Sequence, residues 1–211
     1  MRNLFVPRLY FLLLATLSAH AALITSAPLN GTTTVVGTGS TCGSGPIGAF
    51  AVASSGPVCW PYSQYWGFLQ NGMWNSQSTG FGLIGVNGNS GSFTLDLGAS
   101  FSSVGAFMNY VVPLGAPTIN AFAADGVTLL ESYDIAATAP ISTPNGENDG
   151  AFRGIARPTA DIRYFRIAGG HTAAHSFTVS NNSSDPSPVP EPASLFLLTP
   201  ALFFLLRRRS C

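Results

Sequence analysis

The chain contains no lysine, and only 9% of its 211 residues are charged. Nine arginines balance nine acids, but Arg2, Arg8 and Arg207 to Arg209 lie in the two terminal segments. Between Ala22 and Pro190 four arginines (Arg153, Arg157, Arg163 and Arg166) face eight acids, a net charge of −4. Binding to nucleic acid needs basic side chains to neutralise phosphates, so the composition argues against it. With so little charge, solubility must rest on Ser, Thr, Asn and Gly. Long hydrophobic runs are also missing: no stretch reaches the 18 or so apolar residues of a durable membrane span.

Two shorter apolar runs stand at the ends. At the N-terminus, Arg2 and Arg8 mark a basic region, Leu9 to Leu17 is apolar, and Ala19-His20-Ala21 has the small-x-small form of a signal-peptide cleavage site. Cleavage after Ala21 is expected. A retained anchor is the alternative, but a run this short falls well short of a bilayer. At the C-terminus, prolines occupy every second position from Pro186 to Pro192, Ala193 to Leu206 is almost wholly apolar, and Arg207-Arg208-Arg209 follows. As a helix, that apolar stretch would be roughly 21 Å long against a hydrocarbon core of ~30 Å, and Pro200 interrupts it. A short C-terminal transmembrane helix, inserted transiently in the inner membrane with the arginines as stop-transfer signal, fits this better than permanent spanning.

The run Val189-Pro190-Glu191-Pro192, with the apolar stretch and arginine cluster behind it, resembles the PEP-CTERM sorting signal of Gram-negative bacteria. The resemblance implies recognition of Pro190, Glu191 and Pro192 by an exosortase, a membrane-embedded transpeptidase-like enzyme. It also implies removal of the tail and delivery of the remainder to the cell surface or extracellular polymer, signal peptidase having acted at the other end. The expected organisation is a signal peptide (1–21), an ectodomain (22–182), a Ser/Pro linker (183–189) and a sorting signal (190–211). About 160 residues suffice for one domain with a sizeable core.

Cysteine is scarce, with three residues. Cys42 and Cys59 fall in the part expected outside the cytoplasm, where a disulfide is permitted, and the loop they would close predicts a stabilisation of about 3 kcal/mol. Two reduced, buried thiols are the alternative. A zinc site is disfavoured, because no Cys-x-x-Cys or nearby histidine completes one. Cys211 lies beyond the arginines and is expected to leave with the tail.

Sustained helical periodicity is absent too, and what replaces it is alternation. Phe93, Leu95 and Leu97 alternate with Thr94 and Asp96, and Val104, Ala106, Met108 and Tyr110 alternate with Gly105, Phe107 and Asn109. Asp125-Gly126 between Ile119–Ala123 and Val127–Ile135 predicts a hairpin. Further strands are expected at 151–156, 161–167 and 175–179, after a loop from Thr138 to Gly150. Residues 22–41 can supply an edge strand, whereas 42–91, rich in glycine, serine and aromatics, reads as neither helix nor clear strand. The predicted fold is all-β, an antiparallel β-sandwich of the jelly-roll kind. The strand order from Phe93 to Val179 also resembles the ectodomain of many PEP-CTERM proteins, jelly rolls related to carbohydrate-binding and galactose-binding-like modules. In that family the last strand often opens with paired aspartates, a position that reads Ala173-Ala174-His175 here.

Chemistry-bearing motifs are few. Gly80-Phe81-Gly82-Leu83-Ile84-Gly85 spells G-x-G-x-x-G, but it lacks the preceding strand and following helix that a dinucleotide site needs. His171 and His175 have no third ligand nearby, so two partly exposed strand-end histidines are expected and no metal site is assigned. Asn145 to Gly150 gathers oxygen donors that could hold a structural calcium, although without EF-hand spacing; an ordinary polar turn is the alternative. No Gly-x-Ser-x-Gly elbow occurs, and Asp125, Glu131, Asp134 and Asp161 are scattered, so no catalytic residue is assigned. Trp60, Trp66 and Trp74 are either core or a patch that stacks on sugar faces. The expectation is a non-catalytic surface or matrix protein associated with extracellular polysaccharide. A carbohydrate-binding module and, further off, a secreted polysaccharide hydrolase are the alternatives.

Overall fold

The structure, a computed structural model, describes residues 21–37, 42–62, 65–114 and 117–182. Ala19, the Pro190-Glu191-Pro192 motif, Arg207 to Arg209 and the side chain of Trp60 lie outside the described residues. The fifteen strands are β1 (Ala22–Ile24), β2 (Thr32–Thr34), β3 (Gly45–Ile47), β4 (Phe50–Ser55), β5 (Val58–Tyr62), β6 (Tyr65–Gly67), β7 (Met73–Asn75), β8 (Leu83–Val86), β9 (Ser92–Phe101), β10 (Ser103–Tyr110), β11 (Thr118–Phe122), β12 (Leu129–Asp134), β13 (Ala151–Ala156), β14 (Ile162–Ala168) and β15 (Thr172–Ser180). Among the described residues α-helix is limited to two single turns, α1 (Ser76–Thr79) and α2 (Ile135–Thr138).

Two antiparallel sheets form the body. One runs β1-β13-β10-β15-β8-β5, with β2 continuing alongside the far end of β15; the other runs β12-β11-β14-β9-β4-β3. Alternation decides which faces meet. Phe93, Leu95 and Leu97 of β9 point inward with Ile119, Ala121, Phe165 and Ile167, and meet Ile84, Val86, Val104, Ala106, Met108 and Ile155 from the opposite sheet in one continuous core. Phe93 meets Phe177 edge to face across that core, with centroids 6.4 Å apart. The Asp125-Gly126 turn closes the β11–β12 hairpin: Asp125 Oδ1 accepts from the Val127 and Thr128 amides, and Gly126 takes the left-handed φ of 73°. Those contacts draw Val127 and Thr128 into the turn, so β12 starts later than alternation suggested.

A bulge keeps β15 in phase with the core. Gly105 pairs with Thr178 and Phe107 with His175, so Ser176 and Phe177 together oppose Ala106. Ser176 adopts φ 50°, rare for a residue with a Cβ. Without the extra residue, the inward set would continue from Ala174 to Ser176 and Thr178; with it, Phe177 and Val179 face inward instead.

Residues 65–83, where no regular element was expected, form a third layer. The β6–β7 hairpin and its flanks bring Trp66, Phe68, Trp74 and Phe81 onto the outer face of the seven-stranded sheet, against Leu83, Val111 and Ala173. Gly85 makes room for this cap, since a Cβ there would lie 2.8 Å from the Trp66 ring. The cap covers Ala173 and His175 of β15, and Thr33 of β2 meets Thr178 further along, so that every residue of β15 is buried. Cys42 and Cys59 are joined by a disulfide and also pair as an isolated antiparallel bridge, tethering the segment before β3 to edge strand β5. Replacing both cysteines with serine is expected to cost about 3 kcal/mol, read as a lower denaturant midpoint.

Candidate functional site

Beneath the cap lies a chain of stacked rings. Phe152 meets Phe107 edge-on at 5.6 Å, Phe107 stacks on His175 at 5.6 Å and 17°, and His175 lies 4.0 Å from Trp74, with Phe81 5.2 Å away. His175 is 5% exposed, in the middle of β15. The expectation of partly exposed strand-end histidines therefore fails for it: the cap covers a strand face that sequence alone would leave wet. The Asp149 carbonyl can only accept, so His175 Nε2 carries the proton and donates to it at 2.9 Å, while Nδ1 accepts from the Ser176 hydroxyl at 2.9 Å. Burial among these rings pushes the imidazole down to about 4, against the weaker opposing effect of Asp149. The ring is neutral at neutral pH.

Trp66 and Trp74 are 7% and 2% exposed. Neither can offer a ring face to a sugar from solution, which corrects the glycan-contact assignment for both: they are core of the capped layer, packed with Phe68, Leu83, Val111 and Ala173. The Trp74 indole N–H, although buried, has no hydrogen-bond partner among the described residues.

The oxygen-rich loop of 145–150 serves the cap. Glu147 accepts from the Asn75 amide and the Ser78 hydroxyl, each at 2.7 Å, and these bonds hold its carboxyl below the usual carboxylate range. Asn148 donates to the carbonyls of Asn71 and Pro144 and accepts from Asn109 and the Gly150 amide. Met73 and the loop exchange backbone bonds, Met73 N to Gly146 O and Asn148 N to Met73 O. The oxygens that a structural calcium would need face protein donors, and among the described residues no group of three or more His, Cys, Asp or Glu could hold a metal ion.

The scattered carboxylates also have structural partners. Arg157 bridges Glu131 at 2.6 Å and Asp161 at 2.7 Å. Partial burial raises the Asp161 carboxyl, but bonds from Arg157 and Thr159 outweigh that and lower it overall. Asp134 caps α2 by accepting from the Ala137 amide, and Asp125 closes its turn. Arg153, 8% exposed, is held by the carbonyls of Ala139, Phe152 and Pro140. Between these elements and the cap, a groove of about 440 Å³ opens at one end of the sandwich, lined in part by Gln70, Tyr110, Val112, Ala136, Pro140 and Ser142. It presents amide and hydroxyl groups beside apolar ones and carries no ionisable pair.

No family model, curated protein or solved structure matches this chain. Among the described residues, no helix is long and apolar enough to cross a membrane.

Proposed function

We propose that this is an exported, non-catalytic surface or matrix protein that associates with extracellular polysaccharide, with the jelly-roll domain as cargo and the C-terminal segment as sorting signal. The observation that carries the reading is the order of parts at the C-terminus: β15 ends at Ser180, and Pro190-Glu191-Pro192, the interrupted apolar stretch and three arginines follow within thirty-one residues. A second export signal at the N-terminus supports it. So does the Cys42–Cys59 disulfide, a bond that persists in oxidising compartments. The sheet order β8-β15-β10-β13 against β9-β14-β11-β12 supports a jelly roll, with β1 to β7 added around it. The engagement of Glu131 and Asp161 by one arginine favours a non-catalytic domain over a hydrolase, whose two carboxyls must be free to exchange protons.

Replacing Pro190, Glu191 and Pro192 together with alanine is expected to leave a full-mass precursor in the inner membrane. Fractionation followed by intact-mass measurement tests this. Arrival of the variant at the surface with the mass of the processed wild type would overturn the sorting assignment.

A further inference from the structure

Among the described residues the six-stranded sheet carries no third layer, and its open face has one feature that the fold itself does not require. Three of the four arginines of the described domain are committed: Arg157 and Arg163 to carboxylates, Arg153 to three carbonyls. Arg166, in the middle of β14, has no carboxylate within ion-pair distance among the described residues. It is nevertheless fixed. Its Nε donates to Thr94 Oγ1 at 3.0 Å, and its guanidinium carbon sits 4.7 Å from the centre of the Phe122 ring. Covering Phe122 would need only an aliphatic stem. The brace on Nε does more, because it leaves the two terminal nitrogens as a planar fork, the geometry that takes a carboxylate in a bidentate pair.

The surroundings fit an extended acidic ligand. Strand register places Ala53, Thr94, Arg166, Asn120 and Ser132 in one row across five strands, a line of roughly 19 Å at the usual strand spacing. Asn120 accepts from the Ser132 hydroxyl, so hydrogen-bonding groups lie on one side of Arg166. On the other side β4 exposes only Ala51, Ala53 and Ser55, which leave an unobstructed lane. Asp96, in the neighbouring row, is paired with Arg163 at 2.7 Å, and Asp134 caps α2. Among the described residues the charge of Arg166 is therefore left without a carboxylate partner.

We propose that this face binds an acidic, uronate-bearing polysaccharide, with Arg166 clamping a sugar carboxylate. The inference rests on the polysaccharide-associated reading above and names its ligand class and site. The test is retardation of the full-length protein, in detergent, through native gels containing polygalacturonate or its fully methyl-esterified form. The wild type should be retarded by the acid polymer and not by the ester, with retardation falling as salt is added. Arg166→Met, which keeps the cover over Phe122, should weaken apparent affinity about tenfold or more, and Arg166→Lys should recover part of it. Thermal melting establishes that Arg166→Met is folded; if it is not, Arg166→Lys and Thr94→Val decide by the same measure. Wild-type retardation by Arg166→Met, or no retardation of the wild type by the acid polymer, would overturn the proposal. Equal retardation by the ester would overturn the uronate assignment while leaving a neutral-glycan version of the proposed function standing. The sorting experiment reads independently of all these outcomes.

Discussion

Replacing Trp74 with alanine is expected to cost about 3–5 kcal/mol, lowering the melting temperature by on the order of 10 °C in a domain of this size. Trp74 is 2% exposed and packs between His175 and Phe81, so its removal leaves a void that the cap hairpin cannot fill without releasing its bonds to the 145–150 loop. Trp74→Phe should cost much less. The smaller ring keeps most of the apolar contact and removes an indole N–H that is buried without a partner among the described residues, which offsets part of the lost volume. A Trp74→Ala variant that melts within 2 °C or so of the wild type would show that the cap is not part of the cooperative core.

Lowering the pH from about 6.5 toward 4 should destabilise the protein on the order of 3 kcal/mol through His175 alone. Its folded-state pKa is depressed to about 4, whereas the unfolded chain titrates near the ordinary 6.5. The unfolded state therefore binds the proton first. The stability contributed by the neutral, stacked ring is fully present above the unfolded value and is lost as pH falls through the window to the folded one. The lowered carboxyls of Asp96, Asp125, Glu147 and Asp161 add their own loss further down, below the ordinary carboxylate range. His175→Gln, which can still donate to the Asp149 carbonyl, should flatten the slope of unfolding free energy between these two values. If denaturant titrations across that range give the same slope for wild type and variant, the ring is not held neutral as its surroundings require.

β9, β11 and β14 were legible because each buries one face. Phe93-Thr94-Leu95-Asp96-Leu97 could point only one way, and Asp125-Gly126 fixed the hairpin between β11 and β12. Residues 65–83 gave no such signal. Their aromatics pack onto an outer face made of Phe107, Asn109, Ala173 and His175, and the partner of each ring is distant in sequence, so neither a period of 2 nor of 3.6 appears. β15 held a clue: Thr172 to Val179 is small or apolar at nearly every position, the pattern of a strand covered on both sides. The Ser176 bulge broke its alternation and hid that clue. Of the sites, the Cys42–Cys59 pair is formed, whereas Trp66 and Trp74 required knowledge of the cap. Arg166 stood out neither by motif nor by spacing, since its isolation depends on where the other three arginines find partners.

The last strand of the domain lies at the centre of its sheet, between β10 on one side and β8 and β2 on the other. The two halves of the seven-stranded sheet can therefore join only when Thr172 to Ser180 are free to enter, which places the completing step of folding at the last strand of the described domain. Pairings this far apart in sequence form slowly. A chain still emerging, or cut short before Thr172, has both long edges of the sheet open and cannot close its core. If the chain is exported as proposed, this strand order delays compaction until Ser180 has emerged, and a C-terminal signal would then act on a chain that already holds every strand of the described domain.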